Sequence, residues 1–298
     1  MHRFLRAIGF QKQLGRQDVD QLLGNIMNEP HRRKKIDVEE GVYTELTRDF
    51  GHHMGITIRG KYDKLGFFHV EHYFPYCSCN LFTATEDIVV NKRVDTDAYT
   101  GMCDDMRLGI SLIFYLQNVV DYLELGTPDN TPRKAKLSLS GLSLQGTILL
   151  GVEHSDQFIR RKNYDNHIRT QLIQQAKNGD QDAIDSLTVD EIDLSSRIRN
   201  RIKKEDLYSL VDTSFIPYGS ESDNYLIIAT ILNWTLEVNS YTHEEVYRML
   251  LKCNDIVLTI CINRKDLSGT PIIGCRFKGV IWMQGYVDFQ KLNSGGEV

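Results

Sequence analysis

The sequence predicts an α+β protein: an N-terminal, largely antiparallel sheet with helices, a helical linker, and a small OB-like β-barrel at the C-terminus. Three observations predict it. Apolar and polar residues alternate with a period of two over most of the first 155 residues and again after residue 222. Between them, residues 156–221 are polar, with apolar positions at helical spacing. Four alternating runs crowd into the last stretch, 222–291, as in small closed barrels. The expected units are therefore 1–155, 156–221 and 222–291.

The most apolar stretch runs from Leu108 to Val152. Leu108, Ile110, Leu112, Phe114 and Leu116 share one parity, which favours a half-buried strand. Leu112, Leu116, Val119, Val120 and Leu123 also fit one helical face, but Gly109 weakens a helix there. The reading is a strand to Gln117, then a short helix with Asn118 as N-cap, Gly126 after its end and Pro128 blocking continuation. Leu137, Leu139, Leu142 and Leu144 slip register at Gly141, where a bulge or turn is expected.

From the start, His2–Phe10 reads as a strand or an irregular segment. Asp18, Leu22, Leu23 and Ile26 give a short amphipathic helix stopped by Pro30. The basic run His31–Lys35 reads as a solvated loop, with phosphate contact as its sharper alternative. Strands are expected at Val42–Phe50, Met54–Tyr62, Leu65–Tyr76 and Ile88–Val94. Helices are expected over His167–Lys177, from Asp180, and from Thr188 through the basic Arg197–Lys204 segment. Beyond the Phe-Ile-Pro-Tyr-Gly turn, strands are expected at Tyr225–Val238, Val246–Cys253, Ile256–Ile262 and Arg276–Phe289. Two glycines in the last strand suit close backbone approach at a barrel corner.

Composition bounds the function classes. The chain has 298 residues, is 41% apolar and 25% charged, and carries a formal charge of −5, which argues against nucleic-acid binding by bulk charge. No run approaches the roughly 20 apolar residues of a membrane helix, and the start has no secretory signal pattern. The six cysteines are too sparse for a disulfide framework and read as free thiols in a cytoplasm.

Four phrases carry a resemblance: Phe-Leu-Arg-Ala-Ile-Gly-Phe at 4–10, Ser-Leu-Ile-Phe-Tyr-Leu-Gln-Asn at 111–118, Asp-Thr-Ser-Phe-Ile-Pro-Tyr-Gly at 212–219 and Arg-Phe-Lys-Gly-Val-Ile-Trp-Met-Gln-Gly at 276–285. Over the whole chain the sequence resembles an uncharacterised family of clostridial proteins, a domain of unknown function. That resemblance implies an intracellular bacterial protein and supplies no activity or site.

No phosphate loop, nucleophile elbow or helical His-Glu-x-x-His zinc motif is present. Two constellations remain. Arg248, Lys252, Arg276, Lys278, Trp282 and Tyr286 put cations and aromatics on one parity of two strands; if those strands are neighbours, they form a stacking face for single-stranded nucleic acid or a partner chain. His69 and Glu71 point the same way on a strand, about 6.5 Å apart along the chain, and can offer two ligands to a divalent metal. The first reading is a non-catalytic cytoplasmic binding or adaptor protein, with a protein or nucleic-acid partner, no membrane and no cofactor. The second is a metal-assisted hydrolase using His69, Glu71 and a third ligand.

Overall fold

The computed structural model describes residues 2–10, 15–39, 41–93, 98–105, 110–126, 130–149, 172, 174–175, 180–183, 185–186 and 213–289. A 3₁₀ helix, Arg3–Ile8, and helix α1, Arg16–Asn28, precede the strands. Then come β1 (Arg32–Val38), β2 (Gly41–Gly51), β3 (Met54–Tyr62), β4 (Phe68–Cys77), β5 (Ala84–Lys92), β6 (Tyr99–Asp105) and β7 (Ile110–Leu116). Helix α2 (Val119–Leu123) leads to β8 (Arg133–Leu149). The C-terminal strands are β9 (Ser214–Pro217), β10 (Asn224–Val238), β11 (Glu245–Cys253), β12 (Ile256–Asn263), β13 (Leu267–Ser268) and β14 (Arg276–Asp288).

Strands β1 to β4 form an antiparallel meander, and the other ten form one sheet. That second sheet closes on itself twice. The pairings β8–β12, β12–β11, β11–β10, β10–β14 and β14–β8 complete one ring. The pairings β8–β5, β5–β6, β6–β7, β7–β14 and β14–β8 complete another. β8 and β14 belong to both, paired antiparallel along nearly their whole length. Closure satisfies the backbone groups that open edges would leave to water.

This architecture corrects the predicted fold class. Strand accounts for 59% of the described residues, so the molecule is mostly β rather than α+β. The C-terminal strands do close a barrel-like ring, but not as an OB-like body of their own. The ring needs β8, whose sequence lies in the front half, and β14 is an inner strand between β8 and β10. The expected helical linker falls largely outside the described residues; helical residues there are Leu172, Gln174, Gln175, Gln181–Ala183, Asp185 and Ser186.

Alternation explains the interior. Ile227, Ala229 and Ile231 of β10, Met249 and Leu251 of β11, Leu258, Ile260 and Ile262 of β12, and Phe277, Ile281 and Met283 of β14 are buried in one continuous core with Leu112, Phe114, Leu137 and Leu139. A second core fills the layer between the rings and the meander: Leu46, Ile56, Ile58, Phe74, Tyr115, Leu142 and Trp282, sealed by Phe4, Leu5 and Ile8 of the 3₁₀ helix and Leu22 and Ile26 of α1. The slip expected at Gly141 lies in β8 itself, a few residues on: β14 advances from Gly279 to Ile281 while β8 advances from Gly146 to Ser143, so Leu144 and Gln145 stand opposite the single Val280. The last-strand glycines do allow close approach; a Cβ on Gly285 would lie 2.3 Å from the Phe114 ring.

Two local readings change. His31–Lys35 is not a loop but leads into β1, whose register with β2 runs from Arg32↔Thr47 to Val38↔Gly41. Its charges decorate an edge strand, a position where cations discourage pairing with another chain. Asn118 stands at the start of α2 without capping it: its amide donates to the Asp121 carboxylate and to Val287 O, and its Oδ1 accepts from Val287 N–H at 3.1 Å. Asn118 thus ties α2 to β14.

Candidate functional site

The meander is fastened to the rings by charged and polar groups that sequence periodicity does not reveal. Arg59 on β3 is fully buried. Its Nε donates to Glu45 Oε1 at 2.8 Å, its Nη1 to Tyr115 Oη at 2.9 Å, and its Nη2 to the carbonyls of Leu116 and Gln117, each at 2.9 Å. Its guanidinium carbon lies 4.5 Å from the Phe74 ring centroid. Glu45 Oε1 also accepts from Val119 N–H at 3.2 Å, and Tyr115 Oη is shared with His72 Nε2 at 2.6 Å. Glu45, Arg59 and His72 stand on three strands of the meander, and all reach toward β7 or α2. Burial pushes the Glu45 carboxyl above its ordinary range by more than Arg59 draws it down. Burial works against the Arg59 charge, but Tyr115 and Glu45 outweigh it and raise that group further.

Beside this clamp runs a second seam. Gln284 of β14 is buried; its Nε2 donates to Pro75 O at 2.8 Å, and its Oε1 accepts from Gln117 Nε2 at 2.9 Å. Gln117 Nε2 and the Ser140 hydroxyl both donate to Cys77 O, at 2.8 and 2.6 Å.

Between clamp, seam and edge strand lies a cavity of about 380 Å³, within the usual range for small-molecule sites. Its deep end holds the buried Glu45 and Thr57; its walls carry Phe74, Tyr76 and Tyr286; Gln117 and Asn118 add amides. At the solvent side stand Arg32 and Lys34, with side chains 58% and 46% exposed, the two β1 cations whose parity faces inward. Asp49 holds Arg32 at 2.8 Å, and Tyr76 donates its hydroxyl to the same carboxylate. Asp121 pairs with Lys34 and accepts from Tyr286 Oη at 3.3 Å. Burial opposes the Lys34 charge, but the bond to Asp121 and the nearby acidic groups raise its pKa overall. Arg32 uses Nη2 for both Asp49 and Tyr76, which leaves Nε and Nη1 for an incoming acceptor.

The predicted site residues do not converge. β11 and β14 are not neighbours; both flank β10. Arg276 and Trp282 are buried, and Trp282 stacks on Phe4 at 5.1 Å while its indole N–H donates to Asp223 at 3.0 Å. Lys252 is exposed beside Asp255, at 3.6 Å. Lys278 borders a different cavity, between β8, β10 and β14. Arg248 borders a third, and Tyr286 alone reaches the inter-sheet cavity. The parity assignment for β14 is right, but the face carrying Trp282 and Gln284 lies under the 3₁₀ helix and the meander rather than in water. His69 is bonded to Asp63 at 2.9 Å and Glu71 to Lys61 at 3.1 Å. A bulge between Arg59 and Gly60 leaves Glu71 opposite no β3 residue. Among the described residues no cluster of three or more His, Cys, Asp or Glu side chains suited to hold a metal ion occurs.

A family model described as a domain of unknown function, E. rectale gene description (DUF3881), matches residues 5–285. The chain belongs to that family. This agrees with the clostridial resemblance carried by the four sequence phrases. No curated protein and no solved structure matches the chain. Among the described residues, no helix is long and apolar enough to cross a membrane.

The sequence reading passed over Glu45, Arg59 and the inward face of β1. The signal for β1 was present: Arg32, Lys34, Ile36 and Val38 share a parity, and Ile36 and Val38 pack on the core. Four consecutive cations hid the alternation. Arg59 carries no signal of its own, because a lone arginine in an alternating run reads as a surface residue.

Proposed function

We propose that the protein is a non-catalytic binding protein whose inter-sheet cavity takes a small molecule with an aromatic body and an acid group. One observation carries the reading: a single cavity sets two cations at its solvent side, at Arg32 and Lys34, against aromatic walls at Phe74, Tyr76 and Tyr286. The walls suit a planar apolar body, which stacks on such rings. Planar guanidinium and ammonium groups suit a carboxylate, sulfonate or phosphate. Asp49 and Asp121 orient the two cations without consuming all their donors. The amides of Gln117 and Asn118 are already committed to the seam and to β14, so they shape the site more than they bind. The setting we infer is the cytoplasm, supported by six thiols, none of them in a disulfide.

Anilinonaphthalene sulfonate, an aromatic sulfonate, tests this directly. Saturable fluorescence enhancement is expected with the full chain at micromolar to submillimolar probe. Thr57→Trp, which fills the deep end, should abolish it, and Arg32→Gln/Lys34→Gln should weaken it at least tenfold. Equal binding by all three proteins would count against the cavity as the site.

A further inference from the structure

We propose that Arg248 anchors a second, smaller site, one that takes a lone oxyanion: a carboxylate or phosphate group. Arg248 sits in β11 opposite Thr235 of β10 and Cys261 of β12. Cross-strand partners share a face, and on that face lies a cavity of about 140 Å³ bordered by Arg248, Trp234, Thr235, Asn233, Thr259 and Asn80.

The guanidinium is the unusual feature. Among the described residues its buried Nε has no hydrogen-bond partner, and its one bond runs from Nη2 to Ser78 O at 3.4 Å, at the long end of the range. Among the described residues, no carboxylate lies within ion-pair distance of it. Arg59 is matched by Glu45 and Arg93 by Asp223, whereas Arg133, at the start of β8, shares with Arg248 a buried Nε that no acceptor meets among the described residues. A buried arginine donor normally has an acceptor, because leaving it unmade forfeits the water it gave up. Here no acceptor for that nitrogen occurs among the described residues, and the same side chain borders a cavity.

The surroundings fit an anion. Asn233 Oδ1 already accepts from Trp234 N–H at 2.8 Å, which leaves its amide nitrogen as a donor. Asn80 Nδ2 is held at 3.0 Å from His53 Nε2, which fixes the orientation of that amide. Glu237, the nearest acid along β10, accepts from Thr235 Oγ1 at 3.1 Å and does not reach the guanidinium. The volume sets the ligand size. It has room for only a few waters, against the 300 Å³ or more typical of drug-sized ligands. A single tetrahedral or planar oxyanion fits it, received by the Nε–Nη edge of the arginine fork.

Calorimetric titration of the full chain with sodium phosphate, and separately with sodium acetate, at constant ionic strength held by chloride, tests the site. Wild type should bind at least one of the two saturably in the millimolar range or tighter, and whichever binds more tightly identifies the source chemistry. Arg248→Gln should weaken that binding at least tenfold, and Asn233→Ala, on the exposed rim, severalfold. Arg248→Lys, which keeps the charge and loses the fork, should fall between wild type and Arg248→Gln. Absence of saturable binding to wild type would overturn the proposal. So would affinity unchanged in both Arg248→Gln and Asn233→Ala, since that binding would be to the general surface. Should Arg248→Gln fail to fold, wild type, Arg248→Lys and Asn233→Ala still decide. Anilinonaphthalene sulfonate binding reports separately on the larger cavity, so the two sites can fail independently.

Discussion

Replacing Arg59 with Met keeps most of the side-chain volume and removes every bond the guanidinium makes. Glu45 keeps only its bond from Val119 N–H, and the carbonyls of Leu116 and Gln117 lose a buried donor. Breaking a buried ion pair from one side costs about 3–5 kcal/mol, because the remaining charge stays desolvated. For a protein of this size that corresponds to a fall of roughly 6–20 °C in Tm. The loss should depend on pH. Burial already raises the Glu45 carboxyl, and without Arg59 it rises further. A group whose folded pKa lies above its unfolded value contributes stability that is fully present below the unfolded pKa and lost as pH rises through the folded one. The Arg59→Met penalty should therefore be smaller at pH 5 than at pH 8. Urea unfolding followed by tryptophan fluorescence at both pH values measures it. Glu45→Leu/Arg59→Met, which removes both charges, should recover to within about 2 kcal/mol of wild type. A loss below about 1 kcal/mol for Arg59→Met at pH 8, or a double variant as unstable as the sum of the singles, would refute the clamp.

Other expectations follow from the same packing. Burial first, then His72 and Arg3, lower the His2 pKa from 6.5 to about 4. Its contribution is present above pH 6.5 and lost as pH falls through about 4, up to about 3 kcal/mol; His2→Phe, still against Trp282, should flatten that part of the stability profile, and an unchanged profile would exclude His2. Gly285→Ala should cost about 1–3 kcal/mol by overpacking against Phe114, with partial relief from Phe114→Leu; a melting temperature equal to wild type would contradict the contact. Iodoacetamide under native conditions should modify Cys79 and Cys275 and spare the buried Cys77, Cys103, Cys253 and Cys261. The contact with Cys77 at 3.0 Å, then burial, push the Cys261 thiol well above its ordinary value. Mass mapping that finds Cys261 among the first thiols alkylated would contradict this.

Much of the strand content was legible because alternation is local. Met54–Tyr62 occupies the predicted bounds, and β2, β10, β11, β12 and β14 fall within a residue or so of theirs. Pairing was not legible. Alternation says which face of a strand is buried, not which strand lies beside it. Nothing in Arg276–Asp288 announces that it pairs with Arg133–Leu149, far back in the chain, or that β12 meets β8 in parallel. That is why a ring built from both halves of the sequence was read as a barrel of the last part alone. β6 was missed because Gly101 and Asp104-Asp105 look like a loop, yet Gly101 faces the Phe114 ring across the β6–β7 pair. At the site, Tyr286 was named and Arg32 and Lys34 were noticed as a basic run. Glu45 and Arg59 depend wholly on tertiary pairing. A face chosen for its tryptophan proved buried, since exposure depends on what the N-terminal helix covers.

A crystal of the full chain soaked with a bromonaphthalene sulfonate offers the most direct measurement. Anomalous scattering locates the bromine without reference to any assumed pose. The expected result is a peak between Tyr76 and Tyr286, with the sulfonate against Arg32 and Lys34. A bromine bound reproducibly elsewhere, with the space between the meander and the rings left free of it, would contradict the assignment of that space as the binding site.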